Sequence, residues 1–160
     1  MLESNAAFES ILNKYKEIKN IYLESLNGTS KILTVLKEDR IEELNKYFDE
    51  RDGLILAAEK KMKDVGALSL QLARDLKLPG FNYSNIKKHN PSFADAIKVL
   101  SDEITKIIID IKKNDEDINR LINNAMSDVK KKIHGVDVSK MLNQKYKKTN
   151  FNSSFYDRNV

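Results

Sequence analysis

The chain has 160 residues, of which 41% are hydrophobic and 32% charged, a composition typical of a single soluble, helix-rich domain. It contains no cysteine, which excludes disulfides, thiolate metal sites and cysteine nucleophiles. The net charge is +4, and residues 135–160 hold five cations against two carboxylates, so the sequence indicates a nearly balanced body with a basic tail and argues against a generally basic protein.

The first part of the chain has the periodicity of one long helix. Apolar side chains recur every three or four residues from Phe8 onward, which predicts a helix over about residues 4–37. Asn27 and Gly28 are its weak point, because both residue types disfavour a helix interior. Since the apolar spacing stays in phase across this pair, we expect the helix to continue through it, and a kink there is the alternative.

A second amphipathic stretch, residues 41–76, has an apolar stripe that would continue for about ten helical turns. Its apolar side chains again step by three or four residues, and only Arg51 and Ser69 place polar groups in the seam. The pattern therefore predicts a second long helix over about residues 40–78. Pro79-Gly80 predicts its end, because proline cannot continue a helix.

The connections predict a tight hairpin followed by a longer loop. Asp39, with Glu42 three positions later, predicts an N-cap with its capping-box partner at the start of the second helix. The first two helices are therefore expected to pack antiparallel. Residues 77–90 contain Pro79-Gly80 and lack helical spacing at their centre, so we expect one long loop there.

A third long helix follows that loop. Its apolar stripe extends to Val129. Two starts are open: Asn90 as the N-cap with Pro91 in the first turn, or Ser92 as the N-cap with Asp95 completing a capping box.

Three helices of this length can bury their apolar stripes only side by side. The sequence therefore predicts an all-α fold, an elongated antiparallel bundle of three long, coiled-coil-like helices with a short C-terminal helix or mobile tail. We expect the bundle at residues 1–134 and a basic C-terminal segment at residues 135–160. Gly135 predicts the boundary, with a candidate short helix at residues 136–146 and an irregular tail at residues 149–160.

Catalytic and metal chemistry find little support in the residue pattern. His89 and His134 do not lie in a ligand motif such as H-E-x-x-H. Adjacent carboxylates, such as Glu42 and Glu43 or residues 115–117, are more typical of solvated helix faces than of acid–base pairs in so charged a chain. We expect a protein that is not an enzyme and has no catalytic residue, cofactor or metal.

Nucleic acid and membranes are the next partners to consider. Residues 130–132 and 145–148 cluster lysines near Tyr146, but lysines near a helix C-terminus also oppose the helix dipole, and Asp128 and Asp137 interrupt the positive field. No run approaches the roughly 18 apolar residues of a membrane span, and the N-terminus lacks a secretion signal. We expect a cytoplasmic protein that binds no nucleic acid and spans no membrane.

Two stretches are similar to one known family. Residues 33–44, LTVLKEDRIEEL, followed by Phe48 and residues 51–54, resemble the first hairpin of FlgN-like flagellar export chaperones. In that family a long helix ends in a short acidic corner, and the next helix begins with a Leu-rich, charge-laced run. Residues 119–125, NRLINNA, resemble the Asn-rich stretch of the family's late helix.

The resemblance implies a non-enzymatic cytoplasmic chaperone that holds C-terminal segments of the flagellar hook–filament junction proteins before type III export, with the export apparatus as a further partner. An amphipathic client helix would dock on apolar side chains of the late third helix and the segment after it. These candidates are Ile122, Met126, Val129, Ile133, Val136, Met141 and Leu142.

Two alternatives stay open. The candidate client-binding side chains equally suit the bundle's own core, and a structural coiled coil or self-associating helical module would have the same periodicity. We expect a monomer or a homodimer.

Overall fold

The computed structural model describes residues 2–132. Over this range the chain forms four α-helices and one 3₁₀ turn, with no strand. The elements are α1 (Leu2–Lys37), the 3₁₀ turn (Ile41–Glu43), α2 (Leu44–Asp75), α3 (Tyr83–His89) and α4 (Pro91–Lys132). The predicted all-α class is confirmed, and the long helices α1, α2 and α4 pack against one another. The predicted boundary at residue 134, the stop at Gly135 and the short helix after it lie outside the described residues.

The chain divides into two compact units, and α1, α2 and α4 each contribute to both. Unit 1 consists of Met1–Asn27 and Gly53–Lys112. Unit 2 consists of Gly28–Asp52 and Lys113–Val160, of which the structure describes the part up to Lys132. Each unit is described by itself below.

The first helix is unbroken. α1 runs through Asn27 and Gly28 as one helix of 36 residues, so the prediction of continuity is confirmed. A Cβ added at Gly28 would lie 3.7 Å from the Cβ of Arg51, which is an ordinary packing distance. Glycine is therefore not required there by a close approach.

α1 ends through a reversal of the main chain. The Arg40 N–H donates to the Val35 carbonyl at 3.0 Å and the Asp39 N–H to the Leu36 carbonyl at 3.4 Å, which is the pattern of a Schellman motif. Asp39 takes the left-handed conformation, with φ 57°. The predicted capping box of Asp39 and Glu42 is therefore wrong, because a residue that closes α1 in this way cannot have the extended backbone of an N-cap.

α2 ends in the same manner, at Asp75 and not near residue 78 as predicted. The Leu78 N–H donates to the Ala73 carbonyl at 2.8 Å, and Lys77 takes the left-handed conformation with φ 53°. The helix thus closes ahead of Pro79, whose ring could not continue it.

The loop predicted over residues 77–90 is wrong in part, because Tyr83–His89 forms α3. The Asn82 side chain accepts a hydrogen bond from the Asn85 N–H at 2.9 Å and caps this helix. Ile86 is its one buried residue. A helix of seven residues with one core position has too little apolar periodicity to be predicted.

Of the two predicted starts of the third long helix, the one at Asn90 is confirmed. The Asn90 side chain accepts a hydrogen bond from the Phe93 N–H at 3.0 Å, and Pro91 is the first residue of α4. The proline ring does not destabilise the helix at this position, because the first helical N–H has no partner within the helix.

In unit 1, α1 and α2 run antiparallel. Lys61 pairs with Glu17 at 2.5 Å, and the negative charge of Glu59, which lies earlier on α2, helps to raise the pKa of Tyr22, which lies further along α1. The antiparallel order predicted for the first two helices therefore holds in this unit.

α4 runs parallel to α1 in unit 1. The rings of Phe8 and Phe93 lie 4.6 Å apart, and further along both helices Lys19 pairs with Glu103 at 2.7 Å. The order within the unit is therefore up, down and up. Its buried apolar side chains are Phe8, Ile11, Tyr15, Ile18, Tyr22, Ala58, Val65, Leu72, Ala73, Ile86, Phe93, Ala94, Ile104, Ile107, Ile108 and Ile111.

Proline at Ala58 should unfold the protein or destabilise it strongly. Ala58 is fully buried in α2, so a proline ring would remove a helical hydrogen bond inside the seam, at a cost of about 3 kcal/mol or more. Urea denaturation followed by circular dichroism measures the loss. Glu3→Pro is the control, because it falls in the first turn of α1, where the N–H has no helical partner. Equal stability of the Ala58→Pro variant and the native chain would contradict the assignment of α2.

Alkaline pH should destabilise the protein through Tyr22. Tyr22 is 1% exposed, and its burial, with a smaller contribution from Glu59, raises its pKa to about 12. The unfolded chain loses this proton near pH 10, so stability is complete below pH 10 and falls as pH rises toward 12, by about 1 kcal/mol per pH unit. Tyr22→Phe should reduce this slope in urea denaturation at pH 9 to 11. A variant whose stability falls as steeply as that of the native chain would show that Tyr22 is not the group responsible.

Candidate binding site

Unit 2 has a compact apolar core made by the last turns of α1, the first turns of α2 and the second half of α4. The buried members are Ile32, Val35, Leu44, Phe48, Ile118 and Ile122. Five half-buried apolar side chains pack against this core, and we call them the apolar rim: Leu33, Leu36, Ile41, Tyr47 and Met126. Partly exposed apolar groups around a buried core are the kind of surface on which an amphipathic helix can dock.

The rim surrounds the turn between α1 and α2. We call residues 38–43 the corner. Arg40 holds the corner together, because its guanidinium pairs with Glu38 at 2.6 Å and with Glu43 at 2.9 Å. Hydrogen bonds to Glu43 and then to Glu38 raise the pKa of Arg40. The 3₁₀ turn that follows carries Ile41 into the rim.

The surface around the rim is acidic where the chain turns. Residues 38–50 contain six carboxylates and two cations. Arg40 neutralises part of this charge through its two ion pairs, while Glu42 and Glu50 are exposed. A basic or amphipathic partner would therefore find both apolar and anionic groups here.

One buried ion pair lies beside the core of unit 2. Arg51 is 0% exposed, and its Nη1 donates to Asp115 Oδ1 at 2.5 Å. The guanidinium also lies 5.5 Å from the ring of Phe48. No acceptor among the described residues reaches Nε or Nη2 of Arg51. Burial raises the pKa of Asp115 more than the positive charge and hydrogen bond of Arg51 lower it, so the ion pair compensates only in part for the water that this carboxylate loses.

The predicted client-binding residues differ in their burial, and some of them lie outside the described residues. Ile122 is 2% exposed and belongs to the core of unit 2, while Met126 and Val129 are half-buried and Met126 belongs to the rim. Ile133, Val136, Met141 and Leu142 lie outside the described residues. Ile122 therefore lies where the alternative interpretation puts it, in the chain's own core.

Sequence reasoning did not single out the rim residues of α1, the corner and α2. Leu33, Leu36 and Ile41 belong to the apolar stripes that predict the helices, and the sequence pattern assigns no role to Tyr47. A usable signal was present, because apolar residues continue on both sides of a helix stop that carries several carboxylates. How the helices end decides which of these residues stay half exposed. Here α1 ends in the Schellman reversal at Asp39.

The described residues contain neither a cluster of metal ligands nor a membrane-spanning helix. His89 is the exposed last residue of α3, and His134 lies outside the described range. Within residues 2–132 no group of three or more His, Asp or Glu side chains is arranged to hold a metal ion. In the same range no helix is long and apolar enough to cross a membrane.

Comparisons with protein-family models, curated proteins and solved structures found no match to this chain. The candidate site is therefore assigned from the geometry and charge of unit 2.

The Arg51–Asp115 pair should prove replaceable as a pair but not singly. Arg51→Met leaves Asp115, whose side chain is 21% exposed, whereas Asp115→Leu leaves a guanidinium that is 0% exposed. We expect Asp115→Leu to be the more damaging, with a loss of about 3–5 kcal/mol, and the double variant Arg51→Met/Asp115→Leu to match or exceed the native stability. Urea denaturation of the native chain, the two single variants and the double variant gives a double-mutant cycle.

The control for this cycle is the exposed pair Arg120–Asp117, with side chains 70% and 52% exposed. The same double replacement there should change stability by less than about 1 kcal/mol. A double variant of Arg51 and Asp115 that is as unstable as the worse single variant would contradict the interpretation.

Proposed function

We propose that the chain is a non-enzymatic cytoplasmic export chaperone whose unit 2 binds C-terminal amphipathic segments of flagellar hook–filament junction proteins before type III export. The observation that carries the proposal is the apolar rim at an acidic corner, in the stretch whose sequence resembles the first hairpin of FlgN-like chaperones.

The position of the second resembling stretch supports the same site. Residues 119–125 lie on α4 and residues 33–44 span the end of α1 and the corner. Although far apart in the sequence, both stretches belong to unit 2, and Ile122 and Leu44 are members of one core. The two parts that suggested the family therefore contribute to one core, against which the apolar rim packs.

Helix docking is the binding mode that this surface suits. A client helix presents apolar side chains at three- and four-residue spacing, and the rim offers aliphatic, aromatic and thioether groups from three α-helices and the 3₁₀ turn. Met126 adds adaptability, because its unbranched side chain fills irregular gaps. No catalytic step is required for this role.

One observation favours the alternative, a self-associating helical module. Leu56 and Leu70, on α2 of unit 1, are 65% and 57% exposed. They lie about four helical turns apart on one side of the helix. Exposed leucines at this spacing are typical of a helix that meets another helix along its length.

Calorimetry with the full chain and synthetic C-terminal peptides of hook–filament junction proteins from the same organism tests the proposal. We expect saturable binding that weakens about tenfold or more in Ile41→Glu and Met126→Glu, because each puts a charge into the rim. Ile41→Ser and Met126→Gln serve as milder versions if a charge unfolds unit 2. Leu56→Glu and Leu70→Glu are the matched controls and should leave the affinity unchanged.

The alternative, a self-associating helical module, predicts different results in calorimetry and sedimentation. If the native chain binds no such peptide, and a dimer seen by sedimentation becomes a monomer in Leu56→Glu/Leu70→Glu, the self-associating module is correct. Peptide binding that is unaffected by the rim variants would show that a chaperone site exists elsewhere.

A further inference from the structure

We propose that the basic segment after α4, residues 133–160, docks on the apolar rim and acidic corner of unit 2 of its own chain as an internal ligand. The inference goes beyond the proposed function, since it holds whether or not the same rim also binds a client. It assigns an occupant to a surface that combines half-buried apolar side chains with a concentration of carboxylates.

The charges of the two surfaces are opposite. Residues 38–50 hold six carboxylates and two cations, and residues 133–160 hold five cations and two carboxylates. The carboxylates are Glu38, Asp39, Glu42, Glu43, Asp49 and Glu50, and the segment's cations are Lys140, Lys145, Lys147, Lys148 and Arg158. Opposite charge steers and orients such an encounter, and it acts mainly within about 8 Å at physiological salt.

The apolar residues of the segment match the rim in kind. Val138, Leu142 and Tyr146 follow one another at four-residue spacing, and Lys145, Lys147 and Lys148 are interleaved with the last of them. A sequence with apolar anchors at this spacing and cations between them suits a surface that is apolar at its centre and acidic at its edge.

The direction of α4 brings the start of the segment to this surface. Asp115 pairs with Arg51 on α2, and Met126, about three helical turns later on α4, packs against the core that contains Leu44. α4 therefore runs toward the corner, and it extends to Lys132.

The distance along the chain is sufficient for the segment to fold back. Five residues lie between Lys132 and Val138, and the six steps from one Cα to the next can span up to about 20 Å when the chain is extended. The apolar anchors can thus reach the rim from the end of α4. Lys130 and Lys131 at that end are exposed and repel the segment's lysines, which favours contact with the carboxylates of residues 38–50 over contact with the last turn of α4.

Zero-length carbodiimide cross-linking of the full chain tests this proposal. The reagent joins a lysine to a carboxylate in direct contact, and a mixture of unlabelled and 15N-labelled protein separates links within one chain from links between chains. We expect links within a chain between Lys140, Lys145, Lys147 or Lys148 and carboxylates of residues 38–50. No such links, links only between chains, or links from these lysines only to carboxylates outside residues 38–50 would each overturn the proposal.

Charge reversal with rescue gives a second readout on the full chain. Lys145→Glu/Lys147→Glu/Lys148→Glu should lose the remaining links from Lys140 to residues 38–50 and raise the fluorescence of the uncharged dye Nile red, because the rim becomes uncovered. Adding Glu42→Lys/Glu50→Lys should restore the native fluorescence, since the charges again oppose each other. The control Lys16→Glu/Lys60→Glu/Lys63→Glu changes three exposed lysines of unit 1 and should leave the fluorescence unchanged. Unchanged fluorescence in the first variant, or no rescue in the second, would overturn the proposal.

Discussion

A guanidinium with no solvent contact needs an anion, and in unit 2 that requirement fixes how α2 lies against α4. Arg51 lies in the apolar stripe of α2 and pairs with Asp115 on α4. Sliding one helix past the other would leave a buried charge alone, at a cost of several kcal/mol. Because Leu44 and Ile118 follow along the same two helices into one core, the pair decides which apolar residues meet. Its contribution is to specificity of packing, and the apolar core supplies the stability.

The end of α1 is the second constraint on the candidate site. With Asp39 in the left-handed conformation, the main chain satisfies its own helix-end carbonyls and turns within a few residues. The short connection leaves no room for residues that would cover the core of unit 2. Ile41 is therefore left half-buried beside the carboxylates of the corner, and Arg40 holds two of those carboxylates in place.

An apolar rim with an acidic edge constrains what can bind. A uniformly apolar surface would accept almost any exposed helix, whereas carboxylates around the rim disfavour acidic sequences and favour those that alternate apolar and basic residues. A client segment and the chain's own basic segment would then compete for one surface. If both proposals hold, this competition sets a threshold for client binding, because the apparent affinity falls in proportion to the fraction of uncovered rim.

The sequence by itself determined the all-α class, the continuity of α1 through Asn27 and Gly28, and the presence of three long helices, because apolar periodicity over many turns has only one structural solution. The tertiary structure decided what periodicity does not encode: the reversals at Asp39 and Lys77, the short helix around Ile86, and which apolar residues stay half exposed. Ile122 was predicted as a binding residue and lies in the core, whereas Ile41 received no such role and lies in the rim. A stripe of apolar residues has the same spacing whether a helix of the same chain or a partner covers it, so only packing against the neighbouring helices distinguishes the two.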